Sequence, residues 1–66
     1  MNLAGRKMRK YKIVMLCKRT GGTDIHCVRV PGWGENEAEY NARKKIRKFY
    51  RNEYDEVIAS RIEEIK

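Results

Sequence analysis

Two short runs rich in β-branched and aromatic residues, Tyr11 to Arg19 (YKIVMLCKR) and Asp24 to Val30 (DIHCVRV), are separated by no more than Thr20-Gly21-Gly22-Thr23. So short a connection folds the second run back antiparallel to the first, and the glycine pair suits the positive φ angles of a hairpin turn. A turn centred on Gly21-Gly22 pairs Arg19 with Asp24, Cys17 with His26, Met15 with Val28 and Ile13 with Val30, so that opposite charges meet beside the turn. Side chains alternate along a strand, and one face therefore carries Tyr11, Ile13, Met15, Cys17, His26, Val28 and Val30. The other carries Val14, Leu16, Ile25 and Cys27 among Lys12, Lys18 and Arg29. The first face is the better core. Cys17 and Cys27 fall on opposite faces, which argues against a disulfide between them.

Pro31-Gly32-Trp33-Gly34 is expected to end the hairpin, since proline cannot donate to a ladder. From Glu35 to Arg51 the period becomes helical and the charges are sorted: Glu35, Glu37 and Glu39 precede Arg43, Lys44, Lys45, Arg47, Lys48 and Arg51. Early acids and late bases complement the helix macrodipole. Six bases within nine residues exceed that need and leave a cationic surface suited to an anionic partner. At roughly 3.6 residues per turn, Ala38, Ala42, Ile46, Phe49 and Tyr50 form an apolar stripe expected to face the sheet. Tyr40, Arg43, Lys44, Arg47, Lys48 and Arg51 collect on the opposite side as a basic ridge with one aromatic at its start.

The last segment, Tyr54 to Lys66 (YDEVIASRIEEIK), fits two periods: Val57, Ile58, Ile62 and Ile65 suit a helix, while alternation from Val57 to Ile62 suits a strand. A two-stranded hairpin is marginal alone, and a third strand completes a sheet able to cover the helix stripe. The expected fold is therefore α+β, a single small ββαβ domain over residues 11–66. One amphipathic helix packs on one face of an antiparallel hairpin plus a third strand. A hairpin followed by two helices is the alternative. Met1 to Lys10, basic and without apolar periodicity, reads as a flexible lead-in, with Met8 as an alternative start.

Sixty-six residues bury too little surface for an enclosed active site, and no phosphate loop, nucleophile elbow, HExxH or pocket-forming carboxylate pair is present. A non-enzymatic protein without a cofactor is expected. Two Cys and one His fall short of the roughly four ligands of a zinc site, and His26 reads as a hydrogen-bonded sheet residue rather than a proton shuttle. The net charge of +7 and pI near 9.7 favour nucleic acid, an acidic protein face or an anionic membrane surface. No apolar run has the length of a membrane span and no secretory signal is evident, so a cytoplasmic protein with reduced cysteines and no membrane partner is expected.

A helix on one face leaves the second sheet face open, with Val14, Leu16 and Ile25 inside a fringe of Lys12, Lys18 and Arg29. Such a patch suits a protein contact or a homodimer seam, unless Leu3 and Met8 of the lead-in fold over it. Trp33, set between two glycines, acts either as a hydrophobic staple on the first helical turn or as an interface anchor. The order of hairpin, helix with Glu37-Ala38 and Ala42, and last strand ending Ile62-Glu63-Glu64-Ile65 resembles small ββαβ proteins of phages and mobile elements, among them phage inhibitors of bacterial RNA polymerase. The archaeal ribosomal LX proteins are similar in outline. The resemblance implies an accessory protein or inhibitor that binds host nucleic-acid-processing machinery, a protein or protein–nucleic-acid complex, in the host cytoplasm. No binding residue carries over from the resemblance; read from the residues themselves, the contacts would be the exposed sheet face, Trp33 and the basic ridge of Arg43, Lys44, Arg47, Lys48 and Arg51 beside Tyr40. The alternative from the residues themselves is direct binding of DNA or RNA, with those bases on phosphates.

Overall fold

The structure, a computed structural model, describes residues 8–51 and 53–66. Strands β1 (Arg9–Arg19) and β2 (Gly22–Gly32) form the hairpin, α1 (Glu35–Tyr50) crosses the sheet, and β3 (Glu56–Ile65) returns beside β1. The sheet is antiparallel in the order β2-β1-β3, which is the expected α+β ββαβ architecture. The lead-in is shorter than expected: Arg9 and Lys10 belong to β1, opposite Gly32 and Pro31. Residues 1–7, and with them Leu3, lie outside the described residues.

The hairpin register differs from the expected one by two residues. Arg19 stands opposite Gly22, Cys17 opposite Asp24, Met15 opposite His26 and Ile13 opposite Val28. The cause is the turn. A positive φ is found at Gly21 (96°) and not at Gly22, so Thr20-Gly21 is the two-residue loop and Gly22 is already strand. A slip of two keeps every side chain on its face, and the core composition is unaffected. Arg19 still reaches Asp24, now diagonally, with Nε 3.1 Å from Oδ2.

Pro31 and Gly32 extend β2 rather than ending it. β2 is an edge strand, where a residue without an N–H is tolerated. In β3 the partner of Val14 is Arg61 and that of Met15 is Ala59, so Ser60 is an extra, bulged residue. The bulge flips the alternation: Val57 and Ala59 face the helix before it and Ile62 after it. That break in period is why the segment reads equally as helix or strand.

The core joins Tyr11, Ile13, Met15 and Cys17 of β1 to Val30, Val57 and Tyr54 and to Ala38, Ala42 and Ile46 of the helix. Small residues let α1 approach closely: a Cβ on Gly32 would sit 2.9 Å from the Ala38 backbone nitrogen. The helix starts without a side-chain cap on Gly34, but the Glu37 carboxylate accepts the Trp33 backbone N–H at 2.7 Å, and the Ala38 N–H reaches the Gly34 carbonyl at 3.0 Å. An acid at this position also suits the positive end of the helix dipole.

One stripe residue is out of place. Phe49 is 68% exposed, not buried, while Tyr50 packs over His26 with ring centroids 4.5 Å apart. Three strands span only about 10 Å, roughly the diameter of one helix, so the sheet covers little more than the row Ala38, Ala42, Ile46 and Tyr50. Phe49 reaches past the β2 edge, where there is no fourth strand among the described residues.

Candidate functional site

Residues four apart share a helix row, and the rows of α1 have different tasks. The row at the β2 flank holds Asn41, Lys45 and Phe49. Asn41 Nδ2 donates to the Pro31 carbonyl at 2.8 Å and Lys45 Nζ to the Arg29 carbonyl at 3.2 Å. The row at the β3 flank holds Glu39, Arg43 and Arg47. Arg43 Nε donates to the Val57 carbonyl at 3.1 Å and pairs with Glu39, and Arg47 Nη1 donates to the Tyr54 carbonyl at 2.6 Å. Side chains from both flanks thus reach over the narrow sheet to carbonyls on or beside its two edge strands, groups that would otherwise invite another strand.

This division splits the expected ridge. Arg43 and Arg47 are engaged with backbone on the β3 side, leaving Tyr40, Lys44 and Lys48 as the outward row. Tyr40 is 59% exposed and Lys44 Nζ lies 5.4 Å from its ring centroid, a cation–π contact. Arg51 follows the last helical residue with a φ of 52°, a conformation costly for a side chain larger than glycine. Trp33 stands at the other end of the helix, half exposed, its backbone tied to Glu37.

Between the outward row and the β2 edge lies an open concavity of about 470 Å³. Lys44, Lys45 and Lys48 supply its helix wall with Asn41 and Phe49, and Arg29 and Pro31 supply its sheet wall. Three lysines therefore stand around one exposed aromatic ring, with Arg29 offering its backbone carbonyl to Lys45, and among the described residues no carboxylate lines the concavity. Lys45 was expected only as one of six bases, outside the ridge, and Phe49 was expected in the buried stripe. The i, i+4 row with Asn41 was the available signal, and it is invisible without the width of the sheet.

On the other side of the sheet, Val14 and Leu16 are half-buried while Ile25 and Cys27 are exposed. Ile58 joins them opposite Leu16, and Arg61 and Glu63 join Lys12, Lys18 and Arg29 in the rim. Among the described residues no element covers this face.

A third cluster ties the hairpin tip to the helix end. Tyr54 Oη donates to Asp24 Oδ2 at 2.9 Å, so it can accept from His26 Nε2, also at 2.9 Å; in that tautomer Nδ1 accepts from Tyr50 Oη at 3.3 Å. The hydrogen bond from Tyr54, helped by Arg19, holds the Asp24 carboxyl below its usual value. Burial, followed by the Asp24 bond, pushes the Tyr54 hydroxyl up to about 12. Burial also raises the Cys17 thiol, which keeps it protonated and unreactive. The cluster satisfies its own polar atoms with one another and acts as a latch between the hairpin tip and the helix end. Among the described residues no group of three or more His, Cys, Asp or Glu could hold a metal ion, and no helix is long and apolar enough to cross a membrane.

Compared with models of known protein families, with curated proteins and with solved structures, the chain matches none of them.

Proposed function

We propose that the protein is a non-enzymatic nucleic-acid-binding protein that takes phosphates on Lys44, Lys45 and Lys48. The observation that carries this reading is the acid-free cationic concavity between α1 and the β2 edge. Ammonium groups on one open surface displace the cations condensed on a nucleic acid's phosphates, and this release drives association without any enclosed pocket. Arg43 and Arg47 stand beside this surface and support it by fixing α1 against β3.

The test is the salt dependence of binding, followed by fluorescence anisotropy with labelled oligonucleotides. Three phosphate contacts give a slope of log affinity against log salt of about −2 to −3. Removing two of them with Lys44→Ala and Lys48→Ala should flatten the slope by about 1.5. No binding at low ionic strength to either DNA or RNA refutes the proposal.

The open sheet face favours a second reading, an accessory protein or inhibitor docked on a protein of nucleic-acid-processing machinery through Val14, Leu16, Ile25 and Ile58. An apolar centre with a charged rim has the anatomy of such a contact. A partner retained from lysate after nuclease treatment and released by Ile25→Asp, with Lys44→Ala without effect, would move the function to this face.

A further inference from the structure

From the composition of the concavity we infer that it selects single-stranded over double-stranded nucleic acid, with one base stacked on Phe49. The inference rests on the nucleic-acid reading above and adds to it the form of the ligand. Phe49 is 68% exposed, on a helix whose neighbouring row buries Ala42 and Ile46 completely or nearly so. Its ring lies in the same concavity as Arg29, Lys44, Lys45 and Lys48. An apolar ring surrounded by cations suits a ligand that brings a flat π-face and negative charge together, and an unpaired nucleotide does both. A duplex presents the charge but keeps its base faces stacked inside, so the ring would gain nothing from it.

The neighbouring groups fix the rest of the preference. Asn41, the amide best placed to read a base edge, gives one of its two amide hydrogens to the Pro31 carbonyl, which fixes its orientation. Lys45 gives one of its three ammonium hydrogens to the Arg29 carbonyl, which holds the side chain in place and leaves two for a phosphate. Lys44 leans over Tyr40, so a strand running along the outward row meets a second exposed ring about two and a half turns before Phe49. Stacking, which every base offers, makes this contact tolerant of sequence.

The experiment compares a labelled oligothymidylate with a labelled hairpin duplex at low ionic strength, for the natural protein and for Phe49→Leu and Phe49→Trp. Phe49 is exposed, so all three should melt alike, and that is checked first. The expected result is at least tenfold tighter binding of the single strand. Phe49→Leu should lose about tenfold for that strand and nothing for the duplex, a change equivalent to about 1.4 kcal/mol of stacking. Phe49→Trp should bind the single strand at least as well as the natural protein. Equal affinity for duplex and single strand, or indifference to Phe49→Leu, overturns the stacking inference and leaves phosphate binding intact. No binding to either probe overturns both.

Discussion

Gly32 sits where β2 runs against the first turn of α1, and a methyl group there would meet the Ala38 backbone nitrogen at 2.9 Å. The obstacle is backbone, which cannot turn aside as a side chain can. Gly32→Ala should therefore destabilise by about 1 to 3 kcal/mol, as overpacking does. Gly22→Ala, with nothing within 4 Å of the added carbon, should be close to neutral in the same urea titrations. The contrast also tests the hairpin register, since it places Gly22 in the strand and the positive φ at Gly21 alone. At the latch, Tyr54 holds its proton more tightly folded than unfolded. Its contribution to stability is complete below about pH 10, the unfolded value, and is lost as pH climbs toward 12. Asp24 behaves oppositely, its contribution present above about pH 4 and lost as pH falls below that. Tyr54→Phe should accordingly be less stable than the natural protein near neutral pH, and the gap should shrink between about pH 10 and pH 12 in chemical denaturation.

At the scale of the helix, bases that look equivalent in the sequence have separate roles. Arg43 and Arg47 bond to the carbonyls of Val57 and Tyr54, so Arg43→Ala and Arg47→Ala should each cost about 1 to 2 kcal/mol. Lys44→Ala and Lys48→Ala, on the outward row, should stay within about 0.5 kcal/mol while weakening nucleic-acid binding. Urea midpoints and anisotropy on the same four variants separate the groups, and equal stability losses in all four would contradict the division of rows. The strands teach a related point. Alternation identified the buried face of β1, Tyr11, Ile13, Met15 and Cys17, because period 2 survives any even slip. It could not give the register, which turns on a single φ at Gly21. Nor could it follow β3 past Ser60, where the bulge moves the inward positions from odd to even numbers.

For the whole molecule, one helix on three strands means that few side chains hold everything. Ile46, 1% exposed, lies at the centre of the layer between sheet and helix. Ile46→Ala should cost about 2 to 5 kcal/mol, a large part of the stability of a domain this small, and would leave the protein largely unfolded near body temperature by circular dichroism. The same thinness explains the surfaces. A sheet as narrow as the helix lets the flank rows reach both edges, turns Phe49 out beside the cations, and leaves the second face uncovered among the described residues.

The sequence by itself determined the hairpin, the two sheet faces, the helix stripe through Ala38, Ala42 and Ile46, and the basic excess of α1, because each is a matter of local period, turn chemistry and charge; the third strand was favoured over a second helix only because a lone hairpin cannot cover the helix stripe. The tertiary structure decided the register, the bulge at Ser60, the commitment of Arg43 and Arg47 to β3 and the exposure of Phe49. These depend on how wide the sheet is and where its edges fall, distances between segments far apart in the chain that no local pattern encodes.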